Sequence, residues 1–260
     1  MTMPNEVITA LAGLVASFLS GLLGIGGGLV LTPLLLYLPP LVGGTPIPVK
    51  IVTGLTLAQA ISGSLLGVIR HRSYGNVSAQ LVWLMGPPIA IASLIGAFVS
   101  QGTSDRILLL IFAALAIAGA VMLLLPVKPR DADAGTIAVR RPVAIAIALV
   151  LGFFGGMVGI GGIAFIIAAL VYILRVPTRL AIGTSLGIGL FAATAALVGK
   201  AATAQIDAPL AAVVFVSALV ASPVGAAVSV RTQPRMLLGI LSVVVILAAI
   251  RITITALTGA

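Results

Sequence analysis

Two glycine clusters, Gly24-Ile25-Gly26-Gly27-Gly28 and Gly159-Ile160-Gly161-Gly162, interrupt long apolar runs of this 260-residue chain. The chemistry open to them is that of the backbone. A helix that restarts after a break presents unpaired N–H groups and about half a positive charge. Glycine lets those groups approach a ligand closely, which is the arrangement that binds an anion at a helix N-terminus. After Gly28 the chain resumes as Leu29-Val30-Leu31-Thr32-Pro33-Leu34, and after Gly162 as Ile163-Ala164-Phe165. Two such starts facing each other at mid-membrane would hold one small anion. The candidate substrate-binding residues are therefore Gly24, Gly26, Gly27, Gly28, Gly159, Gly161 and Gly162. Thr53, Thr56 and Gln59 on one apolar segment, and Thr184 and Ser185 on its counterpart, lie within about a helical turn of one another and could complete the site. Two plainer roles compete. Glycines at such spacing also pack membrane helices, the role expected of Gly63, Gly67, Gly96, Gly119, Gly183 and Gly187. Membrane Ser and Thr also bond their own helix backbone.

The elements that must position these residues are membrane helices. The chain is 61% hydrophobic and 7% charged, against about 25% charged in ordinary globular domains. Apolar segments run over 7–38, 50–69, 80–100, 107–125, 143–174, 180–199, 208–230 and 236–257. A spanning helix needs about 20 apolar residues. These runs are long and unalternating, unlike barrel strands of about ten residues. The expected class is an all-α polytopic membrane protein, multi-pass in a cell membrane such as the bacterial inner membrane. Its expected partners are the lipid bilayer and a small anionic substrate. The absence of cysteine excludes disulfides and thiolate metal sites, and no cofactor or metal is expected. The N-terminus lacks the basic region of a cleaved signal. The net charge of +9 is scattered between apolar spans, so it argues for topology and not for nucleic acid. The oligomeric state stays open, a homodimer included.

The chain is built twice. Residues 48–112 align with 177–241 at one constant offset: Pro48 with Pro177, Lys50 with Arg179, Gly54 with Gly183, Thr56 with Ser185, Gly96 with Gly225 and Arg106 with Arg235. The glycine clusters align at a longer offset, because the first half carries extra residues around Pro39-Pro40 and Gly43-Gly44. The expected division is a first transmembrane repeat over 1–126, a polar linker over 127–142 and a second repeat over 143–260. Basic residues gather in cytoplasmic loops, and this selects the arrangement. If the two broken segments simply cross, the repeats are parallel and the basic residues divide almost evenly. If each is a hairpin, each half crosses three times and the second is inverted. One side then collects Arg70, Arg72, Lys128, Arg130, Arg140, Arg141, Arg175, Arg179, Arg231 and Arg235, and the other keeps Lys50, Arg106, Lys200 and Arg251. The expected fold is two inverted repeats with both termini outside. Each repeat has a Gly-broken helix, re-entrant or discontinuous, plus three transmembrane helices.

On this reading no Asp, Glu, Lys, Arg or His sits deep in a span, and Lys200 is a cation at a helix end. His71, between Arg70 and Arg72, reads as a loop residue. Lacking a buried carboxylate relay, the chain suits an anion, and the membrane potential could drive its export at about 2.3 kcal/mol per 100 mV for one charge.

The chain resembles the TauE/SafE sulfite exporter family of membrane permeases. The resemblance rests on Gly21-Leu22-Leu23-Gly24-Ile25-Gly26-Gly27-Gly28 followed by Pro33, and on the copy Gly155-Gly156-Met157-Val158-Gly159-Ile160-Gly161-Gly162. It rests also on Gly183-Thr184-Ser185 after Pro177-Thr178-Arg179, and it covers nearly the whole chain. The second copy departs by having Ile163 at the third glycine's place and Ala168 where Pro33 falls, so two equivalent half-sites are not expected. The resemblance implies a substrate such as sulfite, a sulfonate or sulfoacetate, moved by alternating access. A passive anion channel and a permease for a small carboxylate are the alternatives. An intramembrane enzyme is disfavoured, since no His-Glu-x-x-His helix, acidic pair or Ser-His couple lies in the spans.

Overall fold

The computed structural model describes residues 4–23, 27–124, 139–160, 163–229 and 249–254. These residues form helices and loops, with no strand among them. In chain order the helices are α1 (Asn5–Leu23), α2 (Gly28–Leu41), α3 (Val49–Ser73), α4 (Ala79–Gly102) and α5 (Asp105–Leu124). They continue with α6 (Arg141–Val158), α7 (Ile163–Ala168, prolonged by a π-helical turn over Ala169–Ile173), α8 (Thr178–Ala202) and α9 (Ala208–Ser229). The linker expected over 127–142 and the final apolar segment fall mostly outside the described residues, as do Gly24, Gly26, Gly161, Gly162 and the pair Arg231 and Arg235.

Local chemistry sets the helix ends. Pro48 and Pro177 stand just before α3 and α8 in extended conformation, where a missing N–H costs nothing. Ser78 caps α4 by accepting from the Leu81 N–H, and Asp207 caps α9 by accepting from that of Leu210. Gly159 closes α6 with φ 74°, a left-handed conformation that glycine adopts without strain.

Among the described helices, α1, α3, α4, α6, α8 and α9 are long and apolar enough to cross a membrane. At 1.5 Å per residue α1 is about 28 Å long, close to a hydrocarbon core of about 30 Å. Trp83, Ile91, Phe98, Val150, Val216 and Val220 are exposed on the outside. An apolar exterior of that kind is soluble in lipid and not in water. The chain is a multi-pass helical membrane protein.

The two halves interlock. α1 packs on α9 and α4 on α6, while α3 packs on both α8 and α9, and α4 on α8. Exchanging sequence-equivalent helices (α1 with α6, α3 with α8, α4 with α9) carries this set of pairings onto itself. The correspondence extends to single residues. A Cβ on Gly96 would overlap the Phe153 carbonyl, and one on Gly156 the Ser93 carbonyl. Their mates repeat the contact, Gly225 on the Phe18 carbonyl and Gly21 on the Ser222 carbonyl. Small residues let two backbones touch, and in lipid that dispersion contact takes over from the hydrophobic drive. The expected packing role is met at Gly67, Gly96, Gly183 and Gly187. It is not met at Gly63 among the described residues, none of which a Cβ would meet within 4 Å.

α3 and α8 run in opposite directions, side by side. Gly54 near the start of α3 lies under the Gln205 carbonyl just past α8, and Gly183 near the start of α8 lies under the Asn76 carbonyl just past α3. His71 belongs to the last turn of α3 and not to a loop. Its Cβ lies 2.9 Å from where a Cβ on Gly183 would stand, and its Nδ1 is buried with no hydrogen-bond partner. The α3 pattern simply continues through the Arg70-His71-Arg72 run, because basic residues favour the last turn of a helix.

Candidate functional site

The glycine segments of the two halves meet. A Cβ on Gly28, the first residue of α2, would stand 3.1 Å from the Ile160 Cα and 3.5 Å from the Gly159 carbonyl oxygen. At Gly159 a Cβ would overlap the Thr53 carbonyl and come within 2.7 Å of Thr56 Oγ1. Gly27 leaves room for the Gln59 amide, which a Cβ would strike. Six predicted residues (Gly27, Gly28, Thr53, Thr56, Gln59 and Gly159) thus come together from α2, α3 and the end of α6, and the three side chains among them are buried.

Each polar side chain has a defined task. Thr56 Oγ1 lies 2.9 Å from the Thr53 carbonyl one turn back and 2.8 Å from the Gly159 carbonyl across the bundle. One hydroxyl thereby serves both its own helix and an orphan carbonyl at the end of α6. Thr53 Oγ1 donates to the Lys50 carbonyl at 2.7 Å. Gln59 bridges α3 to α1 at Ser17 Oγ, 2.9 Å away. With its amide oxygen accepting from Ser17, its nitrogen donates to the Gly27 carbonyl at 3.2 Å.

Thr184 and Ser185 lie elsewhere. Thr184 Oγ1 accepts from the Ser78 N–H at 3.0 Å, and Ser185 Oγ donates to the Ile182 carbonyl at 2.8 Å. They belong to the start of α8, about four turns or 22 Å along the helix from the end that faces Thr53. Thr56 and Ser185 are repeat mates, and an antiparallel pairing of their helices carries mates to opposite ends.

Lys200 corrects the sequence reading. Counted from the sequence among the basic residues outside the spans, it lies in the last turn of α8 and is fully buried, 0% exposed. Its Nζ donates to Ser100 Oγ at 2.8 Å, Thr53 Oγ1 and Gln205 Oε1 at 2.9 Å, and the Met157 carbonyl at 3.1 Å. Ser100 and Gln205 also bond each other, at 3.0 Å. Hydropathy places a lysine near a helix end at the interface, since its stem lets it snorkel. Here neighbouring Gly199 presses α8 onto α4, with a Cβ position 2.8 Å from that of Ala97. That approach turns the next side chain inward onto the carbonyl end of α6. Ser17, Ser100 and Gln205 were likewise missed. The readable signal was the repeat itself, which sets Lys200 opposite His71 and Gln205 opposite Asn76. Among the described residues, no three His, Cys, Asp or Glu gather as a metal site would require.

Residues 9–252 match the family described as sulfite exporter TauE/SafE. The chain belongs to the TauE/SafE family. The chain is similar to the probable membrane transporter protein YunE of Bacillus subtilis, 28% identical over 93% of this chain and 94% of that one. A probable membrane transporter protein of Haemophilus influenzae is 34% identical over 62% of this chain and 61% of its own. One from Xylella fastidiosa is 30% identical over 72% of this chain and 70% of its own. No solved structure matches. The TauE/SafE membership and six apolar helices make this chain a membrane transporter.

Proposed function

We propose that this transporter carries a small sulfur-containing oxyanion, such as sulfite, a sulfonate or sulfoacetate, outward across the membrane. The anion sits where the start of α2 meets the end of α6, on backbone N–H groups at Gly27 and Gly28 and within reach of Thr53, Thr56 and Gln59. Gly24, Gly26, Gly161 and Gly162, outside the described residues, join this reading through their place in the two sequence clusters. The observation that carries the reading is the contact of Gly28 with Gly159 and Ile160. Two duplicated interruptions brought together inside a membrane protein are the pattern of a transporter's binding site. Helix starts favour negative charge. The family description supplies the sulfur chemistry.

Alternating access between two inverted repeats is the mechanism of this reading. Its support is the direction of α3 and α8. Parallel repeats would point sequence-equivalent helices the same way, whereas these neighbours point opposite ways. The invariance of the helix pairings under exchange of the halves supports it too.

The test is binding by thermal shift on purified protein, with sulfite, sulfate, ethanesulfonate and acetate. A ligand at a hundred times its Kd adds about 2.7 kcal/mol to stability, a readable rise in Tm. Sulfur oxyanions are expected to raise Tm more than acetate, and Gly27→Leu and Gly161→Leu to remove the rise. Ethanesulfonate stabilisation surviving in folded Gly27→Leu protein would refute the site.

A further inference from the structure

The four groups that hold the Lys200 ammonium are neutral oxygens drawn from both halves: the Thr53 and Ser100 hydroxyls, the Met157 carbonyl and the Gln205 amide. Among the described residues no carboxylate bonds it. The charged neighbour that acts on it is Lys50, a second cation, whose own Nζ donates to the Gln101 carbonyl. Asp207, the acid nearest in sequence, turns its Oδ1 to the Leu210 N–H. A buried charge held by dipoles alone is expensive to keep, and an ionisable group inside a membrane protein marks function by default.

We propose that Lys200 is the fixed positive charge that makes the site select anions, acting from behind Thr53 and the end of α6 without touching the substrate. This rests on the anion reading above. The ammonium has three N–H groups and four oxygens already within bonding distance, so none is spare for a ligand. Met157 lies in the last turn of α6, and the carbonyl end of a helix carries about half a negative charge. That end adjoins the start of α2 through Gly159 and Ile160. Left bare, it would repel the anion that the start of α2 attracts. The ammonium on the Met157 carbonyl reverses the sign of the field there. Thr53 links the two places directly, its hydroxyl on Lys200 and its carbonyl against Gly159. Away from water such a field reaches beyond contact distance.

Calorimetric binding to the purified full chain at pH 6 decides, with three probes of related shape and rising charge: dimethyl sulfone, ethanesulfonate and sulfoacetate. In the wild type, affinity is expected to rise in that order. Lys200→Gln keeps N–H donors for the oxygen cage and removes the charge. It should weaken ethanesulfonate about tenfold and sulfoacetate about a hundredfold, because the attraction scales with the ligand's charge. Sulfone affinity should not change, and Lys200→Arg should keep the wild-type order. A lysine that served packing alone would cost all three probes equally. That result, or no loss at all, overturns the proposal. If Lys200→Gln does not fold, the wild type alone still decides, since sulfoacetate binding no tighter than ethanesulfonate also overturns it. Failure of the wild type to bind either anion would overturn the transport reading underneath.

Discussion

Thr56 and Gly159 show how much of the site rests on single atoms. The Gly159 carbonyl ends α6 and has Thr56 Oγ1 as a partner. Thr56→Val keeps the shape and removes that donor, and leaving a buried acceptor unpaired costs about 1–3 kcal/mol. We expect a lower Tm in detergent. Gly159→Ala should cost about as much through its left-handed backbone alone, and more because the new methyl would press on the Thr53 carbonyl. Unfolding temperatures of the two variants, measured side by side, check both, and a Gly159→Ala variant as stable as wild type would contradict the local geometry. At this scale Thr53, Thr56 and Gln59 were legible as polar groups on an apolar segment. Lys200 was not, because a charge near the end of a helix looks alike in sequence whether it turns toward water or inward. The neighbour's approach decides, and that approach depends on Gly199 meeting Ala97 on a helix some hundred residues away.

At the scale of elements, helix crossings divide the glycines into two kinds. Gly96 and Gly225 sit where a Cβ would enter a neighbouring carbonyl, so Gly96→Ala must separate α4 from α6 and should reduce the yield of folded protein. Gly63 meets no neighbour among the described residues. Gly63→Ala should raise stability by about 0.4–1 kcal/mol, the gain from restricting the unfolded chain at a compatible helical position. Paired thermal scans test the contrast, and equal effects would mean that the crossings are not where the backbones touch. Element boundaries were readable to within a few residues. The expected segments 180–199 and 208–230 became Thr178–Ala202 and Ala208–Ser229. Prolines before α3 and α8 and side-chain caps before α4 and α9 act locally, and local chemistry is visible in sequence. Which glycine contacts a partner is not local. The GxxxG spacing was the same at Gly63 and Gly67, yet among the described residues only Gly67 meets a neighbour, the Leu186 side chain.

At the scale of the whole molecule, the relation of the halves has a direct test. The chain contains no cysteine, so single thiols can be introduced on a clean background. Ser73 and Ala202 are repeat mates at the exposed ends of α3 and α8. In inverted repeats Ser73→Cys should react with an impermeant maleimide from the cytoplasmic side and Ala202→Cys from the opposite side. Parallel repeats would put both on one side. By itself, the sequence determined that the chain lives in lipid, that its helices come in two matching sets and where most of them begin and end. Hydrophobicity, repetition and end chemistry are properties of a segment and survive without a partner. Only the tertiary structure decided that Gly28 meets Gly159, that Thr184 and Ser185 lie at the far end of α8, and that Lys200 is enclosed. Those outcomes depend on which helix lies against which and in what direction, and a contact between segments distant in sequence is written in neither of them alone.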